Sequence, residues 1–246
     1  TSGSHNTASG YRALKSNTTG GQNTAYGAFA GCGTTTGSGN TTVGYKSLFD
    51  NTTAGSNTAS GWYSLRNTST GGYNTASGTR SAQHNTTGAK NIAIGYTALY
   101  LNTTGACNTA VGTGSLYANT TGANNTASGY RSMYINTTGS CNVAIGRNAL
   151  YTNTTGSHNT ALGHKALCLN TGAQNTASGG YALVNNTTGK WNTATGYASM
   201  FCNATGCENT ASGYQTLRMN TGHYNTGVGA CVLYNSTANF NTAVGW

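Results

Sequence analysis

Side chains able to do acid–base chemistry are scarce in this sequence. Asp50 and Glu208 are its only acidic side chains, set against eleven Lys and Arg residues and five His, for a formal charge of +9. Paired-carboxylate catalysis needs two acids reaching one bond, and a chain built as a strict repeat offers no unique pocket in which to gather them with a histidine. Seven cysteines (Cys32, Cys107, Cys141, Cys168, Cys202, Cys207, Cys231) are the other reactive groups. No His joins them in a metal-ligand spacing. Cys107 and Cys141 share a repeat position two coils apart, about 9.6 Å at strand spacing, beyond disulfide reach. Cys202 and Cys207 flank the turn Asn203-Ala204-Thr205-Gly206 and could bridge within disulfide geometry, but the favoured reading is scattered thiols on a variable surface. The expectation is a protein that is not an enzyme and uses neither metal nor cofactor.

The elements that position side chains here are repeats. Asn6, Asn23, Asn40, Asn57, Asn74, Asn91, Asn108, Asn125, Asn142 and Asn159 follow one another every 17 residues, and Asn175, Asn192, Asn209, Asn225 and Asn241 continue at steps of 16 or 17. Numbered from that Asn, the unit reads Asn-Thr-Ala-x-Gly-Tyr-x-Ala/Ser-Leu-Tyr-x-Asn-Thr-Thr-Gly-x-x, positions 1 to 17, with Gly at position 5 in all fifteen copies. A period this short is below that of helical repeats, and helix interiors do not carry a Gly in every copy. It suits one coil of a β-solenoid. We expect strands at positions 1–5 and 7–11, the second facing ambiguously, because small position 8 and apolar position 9 adjoin and a regular strand cannot turn both inward. A bulge or corner would resolve that. Deletions fall in Asn-Thr-Thr-Gly, which therefore reads as a turn. Asn and Gly are expected to supply left-handed corners, and stacked asparagines to form ladders. Leu14, Leu48, Leu65, Leu99, Leu116 and Leu150 form the expected apolar stripe.

The fold class expected is therefore all-β, a β-solenoid (β-roll) of about fourteen coils in one uncapped domain, 1–246, belonging to a longer protein or fibre. At about 4.8 Å per coil it is a rod on the order of 70 Å long, each coil stabilised by its neighbours. No run of about 18 apolar residues spans a membrane. No leader is read in these residues, which says little about export, because they start in mid-repeat with Thr1 aligned on Thr154 and end with Trp246 at position 6.

Several rows offer surface chemistry. Tyr100, Tyr117, Tyr134 and Tyr151 share position 10, and Tyr11, Tyr45, Trp62, Tyr96, Tyr130, Tyr197, Tyr214 and Trp246 share position 6. They are either a packing ladder or a sugar- or surface-binding face, since rings present large area at low entropy cost. Arg12, Lys46, Arg80, Arg131 and Lys165 form a basic row at position 7, which either keeps a filament soluble or attracts acidic glycans, lipopolysaccharide or other cell-surface molecules, and is too thin to make nucleic acid the leading partner. Asn-x-Ser/Thr sequons such as Asn17, Asn51, Asn85, Asn102, Asn119, Asn136 and Asn153 are read as turn residues rather than glycan sites.

Asn91-Ile92-Ala93-Ile94-Gly95 and Asn142-Val143-Ala144-Ile145-Gly146 resemble the Ser/Asn-Val-Ala-Ile-Gly repeat of trimeric autotransporter adhesin heads. The longer unit is similar to repeats of phage tail-fibre-like proteins. The resemblance implies β-rolls side by side in trimers that bind host surfaces. Here the coil is longer and positions 2 and 4 are usually Thr and Ser. We expect a non-enzymatic structural or adhesive fibre, extracellular, at a cell surface or on a virion. It would self-associate as a trimer or, close behind, a filament, with Ile92, Ile94, Val143 and Ile145 on the interchain face. The alternative is an ice-binding solenoid using the Thr row at position 2.

Overall fold

The computed structural model describes residues 2–245; Thr1 and Trp246, the last aromatic of the position-6 row, lie outside them. The chain divides into two compact units, Thr1–Asn124 and Asn125–Trp246. The first holds strands β1 (Thr7–Ser9), β2 (Thr24–Tyr26), β3 (Thr41–Val43), β4 (Thr58–Ser60), β5 (Thr75–Ser77), β6 (Ile92–Ile94) and β7 (Thr109–Val111). The second holds β8 (Thr126–Ser128), β9 (Val143–Ile145), β10 (Thr160–Leu162), β11 (Thr176–Ser178), β12 (Thr193–Thr195), β13 (Thr210–Ser212), β14 (Thr226–Val228) and β15 (Thr242–Val244). Within each unit, consecutive strands pair in parallel and in strict register, as in Thr58↔Thr75, Ala59↔Ala76 and Ser60↔Ser77. The register survives a one-residue deletion, Thr160 still pairing with Thr176, so the lost residue is absorbed in the turn. The architecture is an all-β solenoid of about fourteen coils.

Each coil has one strand of three residues, not two of five. Positions 2 and 4 point outward and Ala at position 3 inward, so Ala59, Ala76 and Ala93 are fully buried. The expected second strand is a run of turns. In the first coil the Ala13 N–H donates to the Gly10 carbonyl at 3.2 Å, Lys15 to Arg12 at 3.4 Å and Asn17 to Leu14 at 3.1 Å. The first two turns carry their positive φ in third place, at Arg12 (56°) and Leu14 (50°), the type II arrangement. This corner answers the facing problem. A left-handed residue at position 9 redirects its side chain, so adjacent Ser47 and Leu48 are both fully buried. The Leu stripe is the core, worth roughly 1.5–3 kcal/mol per buried side chain. Backbone bonds still join coils here, as where the Leu48 N–H donates to the Ser64 carbonyl at 2.9 Å.

The recurring asparagines of positions 1 and 12 are not the left-handed corners, though Asn124 and Asn148 take positive φ at positions 17 and 7. Positive φ recurs at positions 7, 9 and 17 on residues as different as Lys46, Leu65 and Tyr73, each at a cost of roughly 1–2 kcal/mol. Position 5 is different again. Gly78 has φ +128°, and a Cβ there would stand 2.7 Å from the carbonyl oxygen of Gly95 in the next coil.

The asparagines instead form two buried ladders. At position 1, Asn23 Nδ2 donates to the Gly37 carbonyl of its own coil at 2.9 Å, while its Oδ1 accepts the Asn40 N–H of the next at 2.9 Å. At position 12, Asn102 Nδ2 donates to Gly105 O at 2.9 Å and to Asn85 Oδ1 at 2.7 Å. The position-13 Thr explains itself similarly: the N–H groups of Thr86, Thr87 and Gly88 and the Thr86 hydroxyl all donate to the Thr103 carbonyl, at 3.0–3.1 Å.

Two irregularities generate predictions. Position 3 is Gly227 where position 8 of the coil before is Thr216, and a Cβ on Gly227 would lie 2.8 Å from Thr216 Cγ2. Gly227→Ala is expected to destabilise by roughly 1–3 kcal/mol. Adding Thr216→Ser, which recreates the Ser199–Ala211 combination, should restore most of it in a denaturant-unfolding double-mutant cycle. At position 12, Thr68 replaces Asn, and its fully buried hydroxyl has no partner. Thr68→Asn extends the ladder between Asn51 and Asn85, and thermal unfolding should show a gain of about 1 kcal/mol.

Candidate functional site

Two outward faces carry the candidate residues. On the strand face, Ile92, Ile94 and Ile145 are 41, 43 and 47% exposed and Val143 is half-buried. Each apolar group extends into the neighbouring strand of its own unit, Ile94 pairing with Val111 and Ile145 with Leu162. Elsewhere this face is a column of outward Thr, with Ser60 and Ser77 beside Thr58 and Thr75.

The turn face carries positions 6, 7 and 10. Position-10 rings are half-buried and stack in pairs, Tyr100 on Tyr117 at 5.1 Å between centroids and 14° between planes, and Tyr134 on Tyr151 at 5.4 Å and 4°. Position-6 rings are exposed, Tyr11 most of all at 62%.

The basic row is more than a row of charges. In the first five coils position 7 runs Arg12, Phe29, Lys46, Tyr63, Arg80, cation and ring in alternation. Arg12 lies over Tyr11 at 5.0 Å and Phe29 at 5.8 Å; Lys46 lies over Phe29 at 5.5 Å, Tyr45 at 5.3 Å and Tyr63 at 5.9 Å. Arg66 lies over Tyr63 at 4.9 Å and Arg80 over Trp62 at 5.1 Å. The rings also meet one another, Tyr11 against Phe29 at 5.2 Å and Tyr45 against Tyr63 at 5.7 Å. In the second unit Arg131 lies over Tyr130 at 5.1 Å and Tyr134 at 5.2 Å, and Lys165 over Tyr181 at 5.8 Å. Cation–ring contacts are worth about 0.5–1 kcal/mol when exposed, and here they order long side chains along the turns. Selecting only the cations of position 7 hides Phe29 and Tyr63; reading the whole column reveals them.

The turn asparagines are unsuited to glycan attachment in the folded chain. Asn85, Asn102 and Asn153 are fully buried, and their Nδ2 groups donate to the carbonyls of Gly88, Gly105 and Gly156.

Cys202 and Cys207, like the other five cysteines, are free thiols. Burial pushes the Cys168 thiol up, Lys165 offsetting part of the shift, so it is a poor thiolate source. His84 sits below the usual imidazole range, first through burial and then through repulsion from Arg66. Among the described residues no three His, Cys, Asp or Glu side chains gather to hold a metal ion, and no helix is long and apolar enough to cross a membrane.

No protein-family model, no curated protein and no solved structure matches this chain.

Proposed function

We propose that this chain is a non-catalytic fibre protein, working outside a cell or on a virion, that associates with further copies of itself through its strand face and meets other surfaces through its turn face. The observation that carries the reading is the exposed apolar ground on the strand face, centred on Ile92, Ile94 and Val111 in one unit and on Ile145 and Leu162 in the other. Water gains nothing from such side chains, and each Å² of apolar surface removed from it is worth about 25 cal/mol. A second copy presents the same face and is the occupant this reading commits to. The similarity of Asn91–Gly95 and Asn142–Gly146 to adhesin-head repeats points the same way, a trimer being favoured slightly over a filament. Sedimentation at increasing concentration is expected to show assembly. Ile92→Lys with Ile94→Lys should loosen it more than Arg131→Ala does. A stable monomer at high concentration overturns the reading, and equal assembly of both variants moves the contact off this face.

One observation favours a second reading. Thr41, Thr58 and Thr75 stand outward in register on successive parallel strands, about 4.8 Å apart, with Ser60 and Ser77 alongside. Such a regular hydroxyl and methyl array is what an ice-binding face requires. Inhibition of ice recrystallisation at micromolar protein, lost on Thr58→Lys, is the outcome expected of an ice-binding solenoid; absence of inhibition removes it.

A further inference from the structure

We infer that the turn face of the first unit binds a linear anionic polysaccharide, one in which acidic and neutral sugars alternate, laid along the column Arg12, Phe29, Lys46, Tyr63, Arg80. The inference deepens the surface-binding half of the fibre reading and rests on it. Three observations carry it.

The first is charge. Residues 1–124 contain six Lys and Arg and a single acid, Asp50, so the cations on this face are not committed to neighbouring carboxylates. The second is spacing. Cations recur at every second coil of position 7, a repeat of about 10 Å at two strand spacings. A glycan with one acidic sugar per disaccharide advances its anionic groups by close to that distance, so carboxylates or sulfates meet Arg12, Lys46 and Arg80 in turn. The neutral sugars between them meet Phe29 and Tyr63, rings that offer apolar area, with the Tyr63 hydroxyl for a sugar hydroxyl.

The third is the ordering of the cations. Arg12, Lys46 and Arg80 each lie over at least one ring, which limits the side-chain entropy a flexible Lys or Arg loses on binding. The same geometry argues against single-stranded nucleic acid. Such a strand stacks successive bases on rings, and position 7 offers a ring only on alternate coils. A nucleic acid also carries a phosphate on every nucleotide, where this column offers a cation only on alternate coils.

The test uses the whole chain, with hyaluronan (glucuronate alternating with neutral N-acetylglucosamine) as the alternating anionic glycan, dextran as the neutral one and a twenty-nucleotide oligothymidine as the polyanion without sugar alternation. Titration calorimetry at low salt is expected to show saturable binding of hyaluronan and none of dextran. Lys46→Gln with Arg80→Gln should weaken it at least tenfold. Lys90→Gln with Lys190→Gln removes the same charge at position 17 and near it, off the column, and should weaken it less than threefold. Equal weakening by the two double variants would mean net charge alone and overturns the inference. So does failure of the unaltered protein to bind, or oligothymidine binding as tightly through Lys46 and Arg80. Matching thermal unfolding of all variants confirms that the folds are intact. Sedimentation of the same samples separates the two readings: a monomer that binds hyaluronan sinks the self-association proposal and leaves this inference standing. An assembling protein that does not bind it does the reverse.

Discussion

The structure depends on one node, the carbonyl of the Gly at position 15. In each regular coil it accepts from two buried amides, the position-1 Asn that opens the coil and the position-12 Asn that begins its last turn, as Gly105 does from Asn91 and Asn102, both at 2.9 Å. The node ties the two ends of a coil together, and the same side chains reach the neighbouring coil through their Oδ1 atoms. A primary amide is the right group because it donates and accepts at once. Unpaired, each would cost about 1–3 kcal/mol of desolvation; paired along a column, each satisfies its neighbour. The node also favours glycine. A Cβ on Gly139 would stand 2.5 Å from Asn136 Oδ1 and 2.9 Å from Asn153 Nδ2, although the coil with Ala54 at this position keeps both bonds, from Asn40 at 2.9 Å and Asn51 at 3.1 Å.

With coil closure assigned to interior amides and backbone, the outside of the coil is left free. Positions 4, 6, 7 and 17 vary among Ser, Tyr, Arg, Ile and Cys without disturbing the register of the strands beneath. Stability of this kind is a sum of neighbour terms, which lets a surface be written coil by coil on a constant interior. The apolar patches of the strand face and the alternating cation–ring column of the turn face are two such inscriptions. They lie on different sides of the coil, so the proposed self-association and the proposed ligand binding need not compete for the same residues.

The turns show how far tertiary context overrides local preference. Left-handed backbone at Leu14, Leu48 and Leu65 is unfavourable for a branched side chain taken alone. It persists because only that conformation turns position 9 inward beside an already buried position 8, and because it aims the N–H at the next coil's carbonyl, as from Leu65 to Ser81 at 3.0 Å. The burial and the bond are both collective, and neither exists in a single coil.

The period, the all-β class, the buried Leu row, the inward Ala column and the placement of deletions in turns were all legible in the sequence. They are properties of identity repeated at fixed spacing, and packing identical coils leaves little choice about which residues meet. The asparagine ladders were legible for the same reason. The positive-φ Gly of position 5 was legible too; left-handed corners at the ladder asparagines and the second strand were not correct, because propensity rules rank residues by their isolated backbone preferences. What only the tertiary structure decided is the conformation of positions 6 to 11 and with it the company each surface cation keeps. Whether Lys46 is a solvated charge or lies among Phe29, Tyr45 and Tyr63 depends on turns whose energy comes from the coils on either side, and no window of one coil contains that term.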